Sequence, residues 1–263
     1  MISFGQYRNG NSFGHRLDAR IKILAMAMLS ILIFQARGWE ICLLSAFLCA
    51  VGFISRLKVA EVREALRPLA LFAFLLFVLH LFFTDGTPLW QIPYLPVRIT
   101  AEGFFRGSLI FWQFLALALS GTILTMVTSP SDLIAGLEHL LRPLRHIRVP
   151  VSDIAVMVSM AMRFVPTLLE EYNRIKTAQM ARGAEVETGR LDRKIRSLTA
   201  LLMPLMVSAL RRADDLAEAM ETRGYARGPR TTLNLLRFGR EEAVALIALS
   251  LLLSLVIVSK YYT

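Results

Sequence analysis

Acidic residues are scarce in this chain: 20 Asp and Glu stand against 30 Lys and Arg, giving a formal charge of +10 and a pI near 10.2. Only two cysteines occur, Cys42 and Cys49, both inside one apolar run. That excludes a disulfide-stapled scaffold and leaves them as small residues facing the core or lipid. The four histidines, His15, His80, His139 and His146, show no metal-ligand spacing and no His-Glu-x-x-His, so no metal site is expected. A Gly-x-x-x-x-Gly-Lys-Ser/Thr loop is missing, which rules out an NTPase of that kind, and so is the Gly-x-Ser-x-Gly of a nucleophile elbow. Glu170-Glu171 and Asp214-Asp215 lie among arginines at helical spacing, which suits solvated charge pairing better than acid–base chemistry. An alternative to a non-enzymatic protein is a membrane enzyme acting on lipid or isoprenoid phosphates, with arginines as phosphate ligands. It would need a carboxylate cluster for a metal, and none is found. A nucleic-acid-binding domain on a membrane anchor is disfavoured because Asp and Glu are interspersed throughout residues 129 to 242.

What the chain has in abundance is apolar surface: 55% hydrophobic residues and a mean hydropathy of +0.53 over 263 residues. Several runs lack charge for about the length of a bilayer crossing, which predicts an all-α integral membrane protein. The start, Gly5 to Asp18, is polar and basic, without the apolar core of a signal peptide. Asp18 is placed to cap a helix, and apolar spans are expected over Ile21–Gln35, Trp39–Ser55, Pro68–Phe83, Phe104–Val127 and Ala243–Ser259, about five crossings. Arg56 to Arg67 reads as a basic interfacial loop or short helix. Thr84 to Thr100, with Gly86, Pro88, Pro93, Pro96 and Trp90, reads as an irregular loop. His80 sits in an apolar span, where an interhelical hydrogen bond near the outer interface is its expected role. Three segments follow: a membrane domain over 1–128, a helical domain over 129–230, and a linker with a last span over 231–263. Lys and Arg crowd the N-terminal tail, the loop after the second span and 129–242, while the loops 36–40 and 84–103 have one arginine each. The positive-inside rule then places the N-terminus and the helical domain in the cytoplasm.

The helical domain is amphipathic where the rest is greasy. Ser131 or Asp132 is expected to cap a short helix carrying Leu133, Leu137, Leu140 and Leu144. Two long helices then each contain one proline, Pro166 or Pro204, and each end in Arg-Gly, at Arg182-Gly183 and Arg223-Gly224. Apolar residues from Val151 to Ile175 and from Ile195 to Met220 recur in steps of three and four, which puts them on one face. Arg163, Glu170, Glu171, Arg174 and Lys176, then Arg211, Arg212, Asp214, Asp215 and Glu218, lie on the other. Met157 to Ala161 and Leu198 to Leu210 are apolar almost all round, so partial immersion is expected, with the prolines bending each helix out toward water. An Arg-Gly end has a plain explanation, since glycine accepts the left-handed conformation and arginine suits the negative end of the helix dipole. Two such ends on two long helices point further. Pro166 to Arg182 spans about 24 Å of helix, enough to carry a guanidinium fork away from the bilayer toward a soluble partner.

Nearly the whole chain resembles the transmembrane T component (EcfT family) of energy-coupling factor transporters. The resemblance is carried by Asn11-Ser12 with His15-Arg16-Leu17-Asp18-Ala19-Arg20, by Met162-Arg163-Phe164-Val165-Pro166, by Ala178-Gln179-Met180-Ala181-Arg182-Gly183 and by Glu218-Ala219-Met220-Glu221-Thr222-Arg223-Gly224-Tyr225. The family has two Ala-Arg-Gly motifs whose arginines link to a pair of cytoplasmic ATPases. The first is intact at Ala181, Arg182 and Gly183; the second is matched to Thr222, Arg223 and Gly224, with the nearby Ala226-Arg227-Gly228 an alternative. The family more often has proline where Ala19 stands. The resemblance implies a scaffold that hydrolyses nothing itself and binds no cofactor, ATP and magnesium being used by the two ATPases. It also implies a membrane-embedded S component that captures a vitamin or metal ion, and a bacterial or archaeal cell membrane as the location. Met157, Met160, Met162, Met203 and Met206 would give a re-packable surface for the S component, with ordinary core packing as the plain alternative.

Overall fold

The computed structural model describes residues 10, 12–91, 98–147, 149–183, 191–226 and 239–262. Ala226-Arg227-Gly228 beyond Ala226, most of the 231–242 linker, Pro93, Pro96 and the first nine residues lie outside them. The elements in order are α1 (Phe13–Arg16), α2 (Ala19–Gln35), α3 (Glu40–Ile54), α4 (Val59–Phe83), β1 (Pro88–Gln91), β2 (Arg98–Thr100), α5 (Ala101–Val127), α6 (Pro130–Leu140), a 3-10 turn (Arg142–Ile147), α7 (Val151–Ala181), α8 (Leu191–Thr222) and α9 (Arg240–Tyr262). The protein is an all-α membrane protein apart from one small hairpin. It divides into two compact units, Met1–Leu140 with Asn234–Thr263, and Leu141–Leu233.

In the first unit the core forms where α2, α3, α5 and α9 meet: Ile33 and Leu44 are fully buried, with Leu32, Leu48, Ala116, Leu252 and Val256 around them. Hydroxyls inside these helices bond their own carbonyls, as Ser30 Oγ does with Met26 O at 2.8 Å and Thr122 Oγ1 with Ala118 O at 2.8 Å. In hydrocarbon no water would satisfy them. Ser45 Oγ bonds Ile41 O at 2.7 Å and accepts the Trp112 indole N–H at 2.8 Å, tying α3 to α5. The α4–α5 pair packs through glycines. A Cβ on Gly103 would meet His80 O at 2.7 Å, and one on Gly107 would meet Phe77 O at 3.1 Å. This is the small-xxx-small contact of membrane helices, which lets two backbones approach.

Several boundaries differ from expectation for identifiable reasons. One helix runs from Val59 through Pro68 to Phe83, where a basic loop or short helix and a separate span were expected; the missing proline N–H costs one ladder bond, not the helix. Thr84 to Thr100 contains an antiparallel pairing, Trp90 with Ile99 and Gln91 with Arg98, with a register shift between Pro88 and Trp90. Glu102 holds its base by accepting from the Thr87 N–H at 2.7 Å. Among the described residues His80 makes no interhelical bond of the expected kind: its Nδ1 pairs at 2.9 Å with Leu76 O of its own helix. Asp18 does cap α2, accepting from Arg20 N–H at 2.9 Å. The cap of α6 is Ser129, whose Oγ accepts from Asp132 N–H at 3.1 Å, not Ser131 or Asp132. Pro130 supplies the first helical residue, where its lack of N–H is harmless.

Among the described residues, Val59–Phe83, Ala101–Val127, Val151–Ala181 and Glu241–Ser259 are long and apolar enough to cross a membrane, and Glu40–Ile54 is a shorter apolar helix. At 17 and 15 residues, α2 and α3 fall below a hydrocarbon layer of about 30 Å. Local thinning and interfacial anchors accommodate such mismatch. That α7 reaches spanning length reflects its apolar first half. The helical segment also divides later than residue 129: α6 belongs with the first unit, because a Cβ on Gly136 would lie 3.0 Å from Ala19 Cβ. That close approach seats α6 on the first turn of α2 and leaves Ala19 only 4% exposed.

Candidate functional site

The second unit is built on α7 and α8, both of which run unbroken through Pro166 and Pro204. The two helices share an inner face that starts before each proline and continues past it. Val165, Leu168, Leu169, Tyr172 and Ile175 on α7 are half-buried, as are Leu205, Ala209, Leu216 and Met220 on α8, and Leu201 is fully buried. Arg212 Nη2 donates to Glu171 Oε2 across the pair at 3.1 Å, with the two side chains 34% and 23% exposed. Both groups keep partial contact with solvent, so the bond is of the order of a surface ion pair, and it gives Glu171 a structural partner. Glu170, Arg174, Arg211, Asp214 and Asp215 are exposed.

A second set of apolar side chains on the same helices faces outward. Ile154, Met157, Val158 and Met162 on α7, and Leu198, Leu202, Met203, Met206, Val207 and Leu210 on α8, are exposed. The apolar set expected on one face of α8 is therefore split: Leu201, Leu205, Ala209, Leu216 and Met220 turn inward, while Leu198, Leu202 and Leu210 turn out. Periodicity could not separate them, because this stretch is apolar all round. Of the five methionines singled out, Met157, Met162, Met203 and Met206 are exposed and Met160 is half-buried.

Both helices end in the same way. Gly183 has φ of +84° and Gly224 of +72°, with no atom within 4 Å of where a Cβ would stand on either. Glycine is therefore required by conformation alone. At α8 the Gly224 N–H bonds Glu221 O at 2.9 Å and the Tyr225 N–H bonds Met220 O at 2.9 Å, the full Schellman closure. At α7 the Gly183 N–H bonds Met180 O at 3.0 Å and the Arg182 N–H bonds Gln179 O at 3.1 Å. Arg182 and Arg223 thus occupy the same cap position, and Ala181, Arg182, Thr222 and Arg223 are all exposed. Thr222 Oγ1 turns back to Glu218 O at 3.0 Å, so the second motif's departure from alanine is absorbed within its own helix. Among the described residues no group of three His, Cys, Asp or Glu is placed to hold a metal ion. Spacing alone did not show the Glu171–Arg212 bond; a long-range pair has no local signature.

Fold and site define a multi-pass helical membrane protein that presents a charged helical pair with two exposed arginine ends. The family described as "Cobalt transport protein" (CbiQ) matches residues 10–233. The chain is 41% identical to the energy-coupling factor transporter transmembrane protein EcfT of Thermosediminibacter oceani over 253 residues, covering 95% of each chain. It is 41% identical to EcfT of Brevibacillus brevis over 256 residues, covering 96% of each, and 36% identical to EcfT of Bacillus subtilis over 226 residues, covering 85% of this chain and 84% of that one. The chain belongs to this family of transporter membrane components.

Proposed function

We propose that the chain is the non-catalytic coupling scaffold of an energy-coupling factor importer, standing between two cytoplasmic ATPases and a membrane-embedded S component that captures a vitamin or metal ion. The observation that carries this is the matched pair of helix ends: two long helices, each presenting an exposed arginine on a glycine-closed cap. Arg182 and Arg223 enter grooves on the two ATPases, where a planar guanidinium bonds carboxylates and carbonyls. Pro166 and Pro204 let each helix bend between an apolar half and a charged half. The exposed apolar halves, with Met157, Met162, Met203 and Met206, form an adaptable surface for the S component. N-terminus and helix ends lie on the cytoplasmic side, by the excess of Lys and Arg there.

The test is the double variant Arg182→Glu with Arg223→Glu. It should insert into the membrane as the parent does, lose co-purification with the ATPases and lose ATP-driven uptake. Uptake at the parental rate would remove both arginines from the mechanism. Co-purification of the unmodified chain with no ATPase under mild detergent would defeat the scaffold reading itself.

A further inference from the structure

We propose that the first unit holds an anionic phospholipid by one acyl chain, in a cavity between α2, α3, α5 and α9, with the lipid phosphate on Lys22. The cavity measures about 270 Å³. Its walls are almost wholly apolar, with Ala25, Met26, Val51, Ile123 and Ala248 among them. A void of this size and polarity does not hold water, and left empty it forfeits packing on every side. The material that surrounds a membrane protein and fits an apolar slot is an acyl chain. Ligand pockets of this kind are apolar with a few convergent polar groups, and here those groups are Lys22, Ser55 and Ser120.

The polar groups lie where a headgroup would need them. Lys22 and Leu17 near the start of α2, Ser55 at the end of α3, Val127 at the end of α5 and Val244 near the start of α9 all line the cavity, so it lies toward one end of the bundle. By charge distribution this is the cytoplasmic end. The half-buried Lys22 ammonium donates to His15 O and Val127 O, each at 3.3 Å. An ammonium has three donors, so one remains. Among the described residues neither Asp132 nor Asp18 is within ion-pair distance of it. A lysine inside a membrane segment that faces a cavity calls for a named partner, and a phosphate at the leaflet boundary satisfies the third donor. Arg56, exposed and next in sequence to the cavity-lining Ser55, takes φ of +53°. Its N–H bonds Phe53 O at 2.9 Å and the Leu57 N–H bonds Gly52 O at 3.3 Å, so Arg56 fills the end-cap position that glycine prefers. Gly14 lets α1 approach the helix ends at this side of the cavity, since a Cβ there would meet Ser55 Oγ at 2.6 Å and Val127 Cγ1 at 3.1 Å. Basic pockets between membrane helices on the cytoplasmic side are the sites that take anionic headgroups.

The inference does not depend on the coupling role, and binding tests it without transport. Full-length protein in detergent is titrated with phosphatidylglycerol or phosphatidylcholine, and retained lipid is counted by native mass spectrometry. One phosphatidylglycerol should be retained about fivefold better than phosphatidylcholine. Lys22→Gln should abolish that preference and Lys22→Arg should keep it. Ala25→Phe or Ala248→Phe should displace both lipids by filling the slot. Equal retention of the two lipids, or an undiminished preference in Lys22→Gln, overturns the proposal. Should the variants not fold, unmodified protein is cross-linked with a phosphatidylglycerol carrying a photoreactive group in its acyl chain. Adducts on α2, α3, α5 and α9 around Met26 and Val51 support the site, and adducts confined to α4 overturn it.

Discussion

At Gly183 and Gly224 a side chain would have room and still be wrong, because the strain is in the backbone. Alanine at either position forces a left-handed L-residue, at about 1 kcal/mol each. Global stability should barely change. The expected result is faster hydrogen exchange over the last turns of α7 and α8, around residues 178–182 and 219–223, together with reduced uptake. Unchanged exchange would show that the caps do not depend on glycine. These ends were legible from the residues, since glycine after arginine at the close of an amphipathic pattern has few other uses. The Asp18 cap was legible on the same grounds. The Ser129 cap was not, because Ser129-Pro130-Ser131-Asp132 offers three capping side chains in a row. What decides among them is the fit of Pro130 to the first helical position, which identifies the residue before it as the cap.

Among the elements, α4 and α5 depend most visibly on small residues. Gly103→Leu would drive a branched side chain into the carbonyls of His80 and Leu81, and Gly107→Leu into Phe77. Each should lower stability by about 1–3 kcal/mol or more through overpacking, read as a fall in melting temperature in detergent and in folded yield. The bond between α7 and α8 is weaker. A double-mutant cycle with Glu171→Gln and Arg212→Gln should return a coupling of about 0.5 kcal/mol, in the range of partly exposed pairs, and less at high salt. Helix extents followed from hydropathy to within a few residues, with Pro68 as the exception. The pairing of elements did not follow: Gly103 and Gly107 form a Gly-x-x-x-Gly in the sequence, yet which helix they meet is a tertiary fact. The two faces of α8 were hidden for a related reason, because an all-round apolar stretch has no phase.

At the scale of the whole molecule, the excess of Lys and Arg predicts orientation, and the space at Gly136 seats α6 within the first unit. With Cys42 and Cys49 replaced by alanine, Thr222→Cys should react with a membrane-impermeant maleimide only from the cytoplasmic side, and Arg37→Cys only from the opposite side. The reverse pattern would invert the topology. The grouping of α6 with the membrane helices had no local signal; it rests on the space that Gly136 leaves for Ala19, from distant parts of the chain. The closures at Gly183 and Gly224 have one more consequence. Main-chain bonds internal to each helix already hold the arginine-bearing ends in shape, so contact with another subunit need not mould them. On the proposed coupling role, the backbone of these ends has little freedom left to lose on encounter, and the cost of ordering falls on the exposed arginine side chains.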